Sequence, residues 1–139
     1  MTMDSDPMAS PTTEQLVARL RAILSVERLR AMKARDASAR AATRAALAAL
    51  DNAEAVPIES VPASGAIEAS AIGVGAADVE RGVLTWADAR AVVEREIAEH
   101  EHAAHTFQRP GDRQDERAAD LLRQAAVLRE VLDRVEGSA

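Results

Sequence analysis

Alanine dominates this chain and aromatic residues are almost missing: 32 of 139 residues are alanine, against one tryptophan, one phenylalanine and no tyrosine. Alanine is the strongest helix former and a weak strand former. Its single methyl also lets helix axes approach closely, so the bias points to an all-α protein whose core is thin per residue. The same scarcity removes the flat side chains on which nucleic-acid bases stack. Cysteine is absent, which excludes disulfides, cysteine zinc sites and thiol nucleophiles. The length suits one domain.

The apolar periodicity places four helices. Residues 1–11, with Pro7 and Pro11 and no apolar period, read as a disordered leader. A first helix is expected over 13–34, with Glu14 in its first turn and a stripe of Leu16, Leu20, Leu24 and Met32 at multiples of four. Arg28 fills the gap in that row, and Ile23 and Leu29 flank it. Asp36 follows the basic Lys33 and Arg35 and suits the N-cap of a second helix over 36–54, which buries Thr43, Ala46, Leu47, Leu50 and Ala53. The short connection makes the two antiparallel. Residues 55–84, rich in glycine and proline, read as a long mobile connection. A third helix over 86–108 starts at a variant capping box of Thr85 and Asp88, with Leu84 stapling onto Ala89. Its stripe is Trp86, Ala89, Val93, Ile97, Ala104 and Phe107, and Pro110 and Gly111 end it. A fourth helix over 113–135 carries Ala118, Leu121, Ala125, Leu128, Leu132 and Val135. The expected architecture is a four-helix bundle of two antiparallel helical hairpins joined by a long flexible connection.

Charge is distributed unevenly. The net charge of −6 conceals +6 on residues 15–50 and −8 on residues 51–106. On the basic hairpin Arg21, Arg28 and Arg35 recur every seven residues, and Arg40 and Arg44 stand four apart. Such a row suits tracking phosphates, but the missing aromatics and the negative total favour docking against the acidic third helix and ordinary helix solvation. On that third helix Arg90–Glu94 and Arg95–Glu99 are spaced as i, i+4 ion pairs.

His100, His102 and His105 do not make a metal site by spacing. No pair is four apart, and His100 alone falls on the core stripe, so no metal ligand set is assigned and one half-buried histidine is expected. Ser25 and Ser38 have no histidine nearby, Lys33 is the only lysine, and Gly73 and Gly75 lack the lysine of a phosphate loop. No catalytic residue and no cofactor is therefore assigned. The chain has no apolar run of membrane-spanning length, and Asp4 and Asp6 stand where a signal peptide is basic, so a cytoplasmic location is expected.

Three blocks of residues resemble the YqeY-like family, whose domain is shared with the C-terminal part of the B subunit of tRNA-dependent amidotransferases. The first is Met32, Lys33, Arg35 and Asp36, followed by Arg44, Leu50 and Asn52. The second is Leu84 and Thr85, then Arg95, Glu96 and Ile97, ending at Phe107; the third is Arg113, Asp115, Val127, Leu128 and Leu132. Gln124 stands where the family usually has glutamate, and Asp133 where a proline normally follows the leucine. Typical members continue beyond the position of Ala139 into a smaller helical subdomain, so the expectation is a single domain over 12–136 lacking it. The resemblance implies a bacterial, non-catalytic helical module related to tRNA amidation and translation. The label of carbon-nitrogen ligase with glutamine as amide donor attaches to such members by analogy. Implied partners are tRNA or an amidotransferase complex; the alternative is a protein-interaction or self-associating bundle without tRNA binding. Lys33, Arg44, Asn52, Arg95 and Glu96 are the polar positions that match the family, with Arg44 and Glu96 expected as an interhelical ion pair.

Overall fold

The computed structural model describes residues 10–55, 83–107 and 112–137, with the side chains of 112–114 outside the description. Those residues form four helices: α1 Thr13–Ala34, α2 Ala37–Ala55, α3 Trp86–Thr106 and α4 Asp112–Gly137. The protein is an all-α four-helix bundle in which every helix packs against the other three. The expected leader, but for residues 10 and 11, and residues 56–82 of the expected connection lie outside the described residues. No described helix is long and apolar enough to cross a membrane.

Caps set the helix ends. At α1 the Thr12 hydroxyl accepts from the Gln15 amide (3.1 Å) while Gln15 Oε1 accepts from the Thr12 amide (2.9 Å), a reciprocal box that satisfies two orphan donors. The helix ends at Arg35, whose backbone is left-handed (φ 58°, ψ 38°). An arginine there forgoes the conformational freedom that makes glycine the usual choice. Asp36 then caps α2, its Oδ1 accepting from the Ala39 amide at 3.1 Å. Thr85 caps α3 by accepting from the Asp88 amide (3.0 Å), and Leu84 and Ala89 share the core. The Trp86 amide donates to the Thr13 hydroxyl, which ties the starts of α1 and α3 together.

The core joins Leu20 and Leu24 of α1, Ala42, Ala46 and Leu50 of α2, Val93 and Ile97 of α3, and Leu128, Val131, Leu132 and Val135 of α4. Two of the three α2 residues in this set are alanine. Trp86, Leu16, Ile23, Leu47 and Ala53 are half-buried around it.

One element of the expected stripe is corrected. Met32 is 47% exposed and Leu29 58% exposed, and Ala31 is buried in their place. A row of fours advances about 40° per step around a 3.6-residue helix, so by Met32 it has left the face that Leu20 and Leu24 occupy. Ala31, seven residues after Leu24, returns to that face. Because Leu29 and Met32 sit on the solvent side of α1, each exchange of Leu29→Gln or Met32→Gln is expected to change stability by less than about 0.5 kcal/mol. Urea unfolding monitored at Trp86 checks this.

Candidate nucleic-acid interface

Helices α1 and α2 are antiparallel around the two-residue turn Arg35–Asp36. Their register is fixed by Arg21, whose Nη1 donates to Asp51 Oδ1 at 2.9 Å while its Nη2 lies 2.9 Å from Glu54 Oε1. The second contact is a charge contact without hydrogen-bond alignment. Partial burial alone lowers the Arg21 pKa, but the bond to Asp51 and the Glu54 charge outweigh it and hold the guanidinium above its ordinary range.

The same register decides what lies two turns nearer the hairpin turn. Arg28 is seven residues after Arg21, and Arg44 is seven residues before Asp51. A heptad step leaves a residue within about 20° of its starting line. Arg28 on α1 therefore stands opposite Arg44 on α2, where an acid would have completed another ion pair. Arg40 continues the α2 line one turn further, and Arg35 occupies the turn. All four are exposed, as is Lys33. Among the described residues none of the five makes an ion pair, whereas Arg21, Arg30, Arg123 and Arg134 of the surrounding surface each reach a carboxylate.

Docking of this basic row on the acidic third helix, one of the two expectations, is not what the fold does. No ion pair among the described residues links α1 or α2 to α3. The acids of α3 turn to α4 and to their own helix: Glu101 takes Arg129 (2.8 Å), and Arg90 bridges Glu94 (3.3 Å) and Glu136 of α4 (3.2 Å). The expected Arg95–Glu99 pair is not formed among the described residues.

The family-matching positions separate into two places. Asn52, Arg95 and Glu96 line one groove of about 350 Å³ between α2 and α3, floored by Ala49, Ala53 and Val92. Arg44 is not part of it. It lies about 140° around α2 from Ala49, and the expected Arg44–Glu96 ion pair is not formed among the described residues. Lys33 sits on α1 near the turn. Burial raises the Glu96 pKa, the nearby Glu99 charge adds to the rise, and His100 and Arg95 oppose it. The folded state thus favours protonated Glu96, a contribution present at acid pH and lost as pH rises through the raised pKa. Glu96→Gln is accordingly expected to raise Tm slightly at neutral pH and to leave it unchanged below about pH 4; thermal melts at the two pH values test the sign.

Of the three histidines, His102 and His105 are exposed. His100 is half-buried, its Nδ1 donating to the Glu96 carbonyl (2.6 Å) and its Nε2 lying 2.9 Å from Gln124 Oε1. Gln124, buried on α4, donates from Nε2 to Asp120 Oδ2 (3.1 Å), and Asp120 Oδ1 accepts from the Ser38 hydroxyl of α2. His100 is therefore committed to a polar chain that joins three helices.

Sequence reading passed over Asp51 and Glu54 as partners of Arg21, and over Asp120, Gln124 and Ser38 as partners of His100. The first was signalled by the matching seven-residue intervals Arg21 to Arg28 and Arg44 to Asp51, which become a register once the hairpin is assumed. Comparison of the chain with protein-family models, with curated proteins and with solved structures finds no match.

Proposed function

We propose that this chain is a non-catalytic helical module of the cytoplasmic translation apparatus, related through its YqeY-like residues to tRNA-dependent amidation, that contacts tRNA through the basic edge of its first hairpin. The observation that carries the reading is the set of exposed arginines Arg28, Arg35, Arg40 and Arg44 at the turn end of the first hairpin, none of which makes an ion pair among the described residues. By the heptad register Arg28 and Arg44 fall on facing lines of the two helices. Like charges so placed repel one another, and a bound anion removes the repulsion. Guanidinium groups match phosphate oxygens in bidentate geometry. The near-absence of aromatic side chains fits a mode that grips backbone rather than bases.

Titration of tRNA by fluorescence anisotropy at low salt tests the reading. Binding is expected, weakening as salt rises by counterion release. Arg40→Glu together with Arg44→Glu is expected to weaken it at least tenfold while the far-UV circular dichroism stays unchanged and Tm does not fall, since both side chains are exposed and an acid at 44 relieves the repulsion with Arg28. Absence of binding by the wild type at low salt, or equal binding by the doubly reversed protein, overturns it.

A second reading, a protein-interaction or self-associating bundle without tRNA binding, draws on a different observation. Val26, Leu29 and Met32 are 58%, 58% and 47% exposed on the outer side of α1. Sedimentation of the wild type beside a Val26→Gln, Leu29→Gln variant separates the readings: self-association lost in the variant supports the second, and a monomer in both counts against its self-associating form.

A further inference from the structure

The cationic edge has a definite length, because the rows that form it also terminate it. Toward the open end of the hairpin it stops at Arg21, which Asp51 and Glu54 neutralise. Toward the other end it stops at the turn, where Asp36 follows Arg35 and is itself held by Arg123 of α4 (2.7 Å). Between Arg28 and Arg35 the α1 axis advances about 10 Å. Consecutive phosphates of an unpaired strand stand farther apart than the about 3.4 Å of axis per strand in duplex DNA, so this length, extended by the reach of the arginine side chains at its ends, takes about three of them at most.

We infer that the anion taken here is a short run of about three consecutive phosphodiesters on one RNA strand, and that Asp51 and Glu54 determine where the run stops. This rests on the RNA-binding reading above and adds to it the size and the boundary of the site. By the heptad register Arg28 falls on the α1 line and Arg40 and Arg44 on the facing α2 line, with Arg35 at the turn between them, so a strand running along the hairpin edge meets cations from both helices. Arg21 continues the α1 line but is already occupied. Its side chain is 28% exposed and those of Asp51 and Glu54 are 68% and 29% exposed. The clamp is therefore open to solvent, and removing its charge extends the track.

The test is anisotropy titration of a fluorescein-labelled oligouridylate of about ten nucleotides over a series of potassium chloride concentrations. For the wild type, the log-log slope of affinity against salt is expected near −2, since each phosphate on a single strand contributes about −0.7. Asp51→Asn with Glu54→Gln keeps hydrogen-bonding side chains of the same shape beside Arg21 and removes both charges. This variant is expected to bind several-fold more tightly at low salt and to steepen the slope by about 0.7. Glu54→Gln alone, the milder change should the pair impair folding, is expected to move both quantities in the same direction by less. A wild-type slope beyond about −4 overturns the length, and variants that bind like the wild type overturn the clamp. Displacement of the oligonucleotide by inorganic tripolyphosphate at equal phosphate concentration overturns the assignment to a strand. These failures all presuppose RNA binding, so they differ from the failure of the parent reading, in which neither tRNA nor the oligonucleotide binds.

Discussion

Truncation of Leu50 to alanine is expected to destabilise the bundle by about 3 kcal/mol, within the span measured for buried leucine-to-alanine changes. The loss is large because of what else α2 buries. Its other fully inward residues are Ala39, Ala42, Thr43 and Ala46, so Leu50 is the one large apolar side chain that α2 places wholly in the core. It is completely buried and joins the cluster containing Leu20, Leu24, Val93 and Leu128. The neighbours of Leu50 on the inward face of α2 are small, so no long side chain of that face can swing into the void, which keeps the cavity cost high. Leu47 lies on the margin of the same cluster, half-buried, and Leu47→Ala should cost about 1 kcal/mol. Chemical denaturation of both variants measures the contrast. Equal losses would mean that α2 is held by its flank as much as by its inward face.

Much of the fold is legible in the sequence. The bounds of α1 and the start of α3 followed from local chemistry: a Thr at each N-terminus, charged residues at the hairpin turn, and a leucine stapled before Trp86. Those signals act within a few residues and do not need the tertiary fold. Met32 was misplaced because rows of four approximate a 3.6-residue repeat over two turns but drift off the face over four, while buried Ala31 was hidden among many alanines. The basic edge was half legible. The heptad of Arg21, Arg28 and Arg35 was plain, but which members stay cationic depends on what α2 sets opposite each of them, and that is a property of helix pairing. Arg44 and Glu96 were likewise linked by their charges alone, whereas the helical phase of Arg44 turns it to the edge of the hairpin away from α3.

Asp120→Ala is expected to cost about 2 kcal/mol, far more than the removal of a surface carboxylate. Asp120 is only partly buried, yet it receives two donors, the Ser38 hydroxyl from α2 and Nε2 of buried Gln124. Without it, the Gln124 amide is left inside the bundle with an unsatisfied N–H, and such orphaned groups cost about 1–3 kcal/mol. Gln124 is suited to its position because its amide has two faces: the oxygen meets His100 Nε2 on α3 and the nitrogen meets Asp120 on its own helix. Glutamate at the same place has no N–H to give and sets a second charge beside Asp120, so Gln124→Glu should also destabilise. Gln124→Met, of similar length, removes the orphaned amide, and the one partner it takes away is that of His100 Nε2, which is only half-buried. The double variant Asp120→Ala, Gln124→Met should therefore be more stable than Asp120→Ala alone, an opposite-sign coupling that simple loss of contacts does not produce. Denaturation of the two single variants and the double variant closes the cycle. Additive losses would show that the Ser38–Asp120–Gln124–His100 chain does not act as a unit, and α4 would then be held in register by its apolar stripe alone.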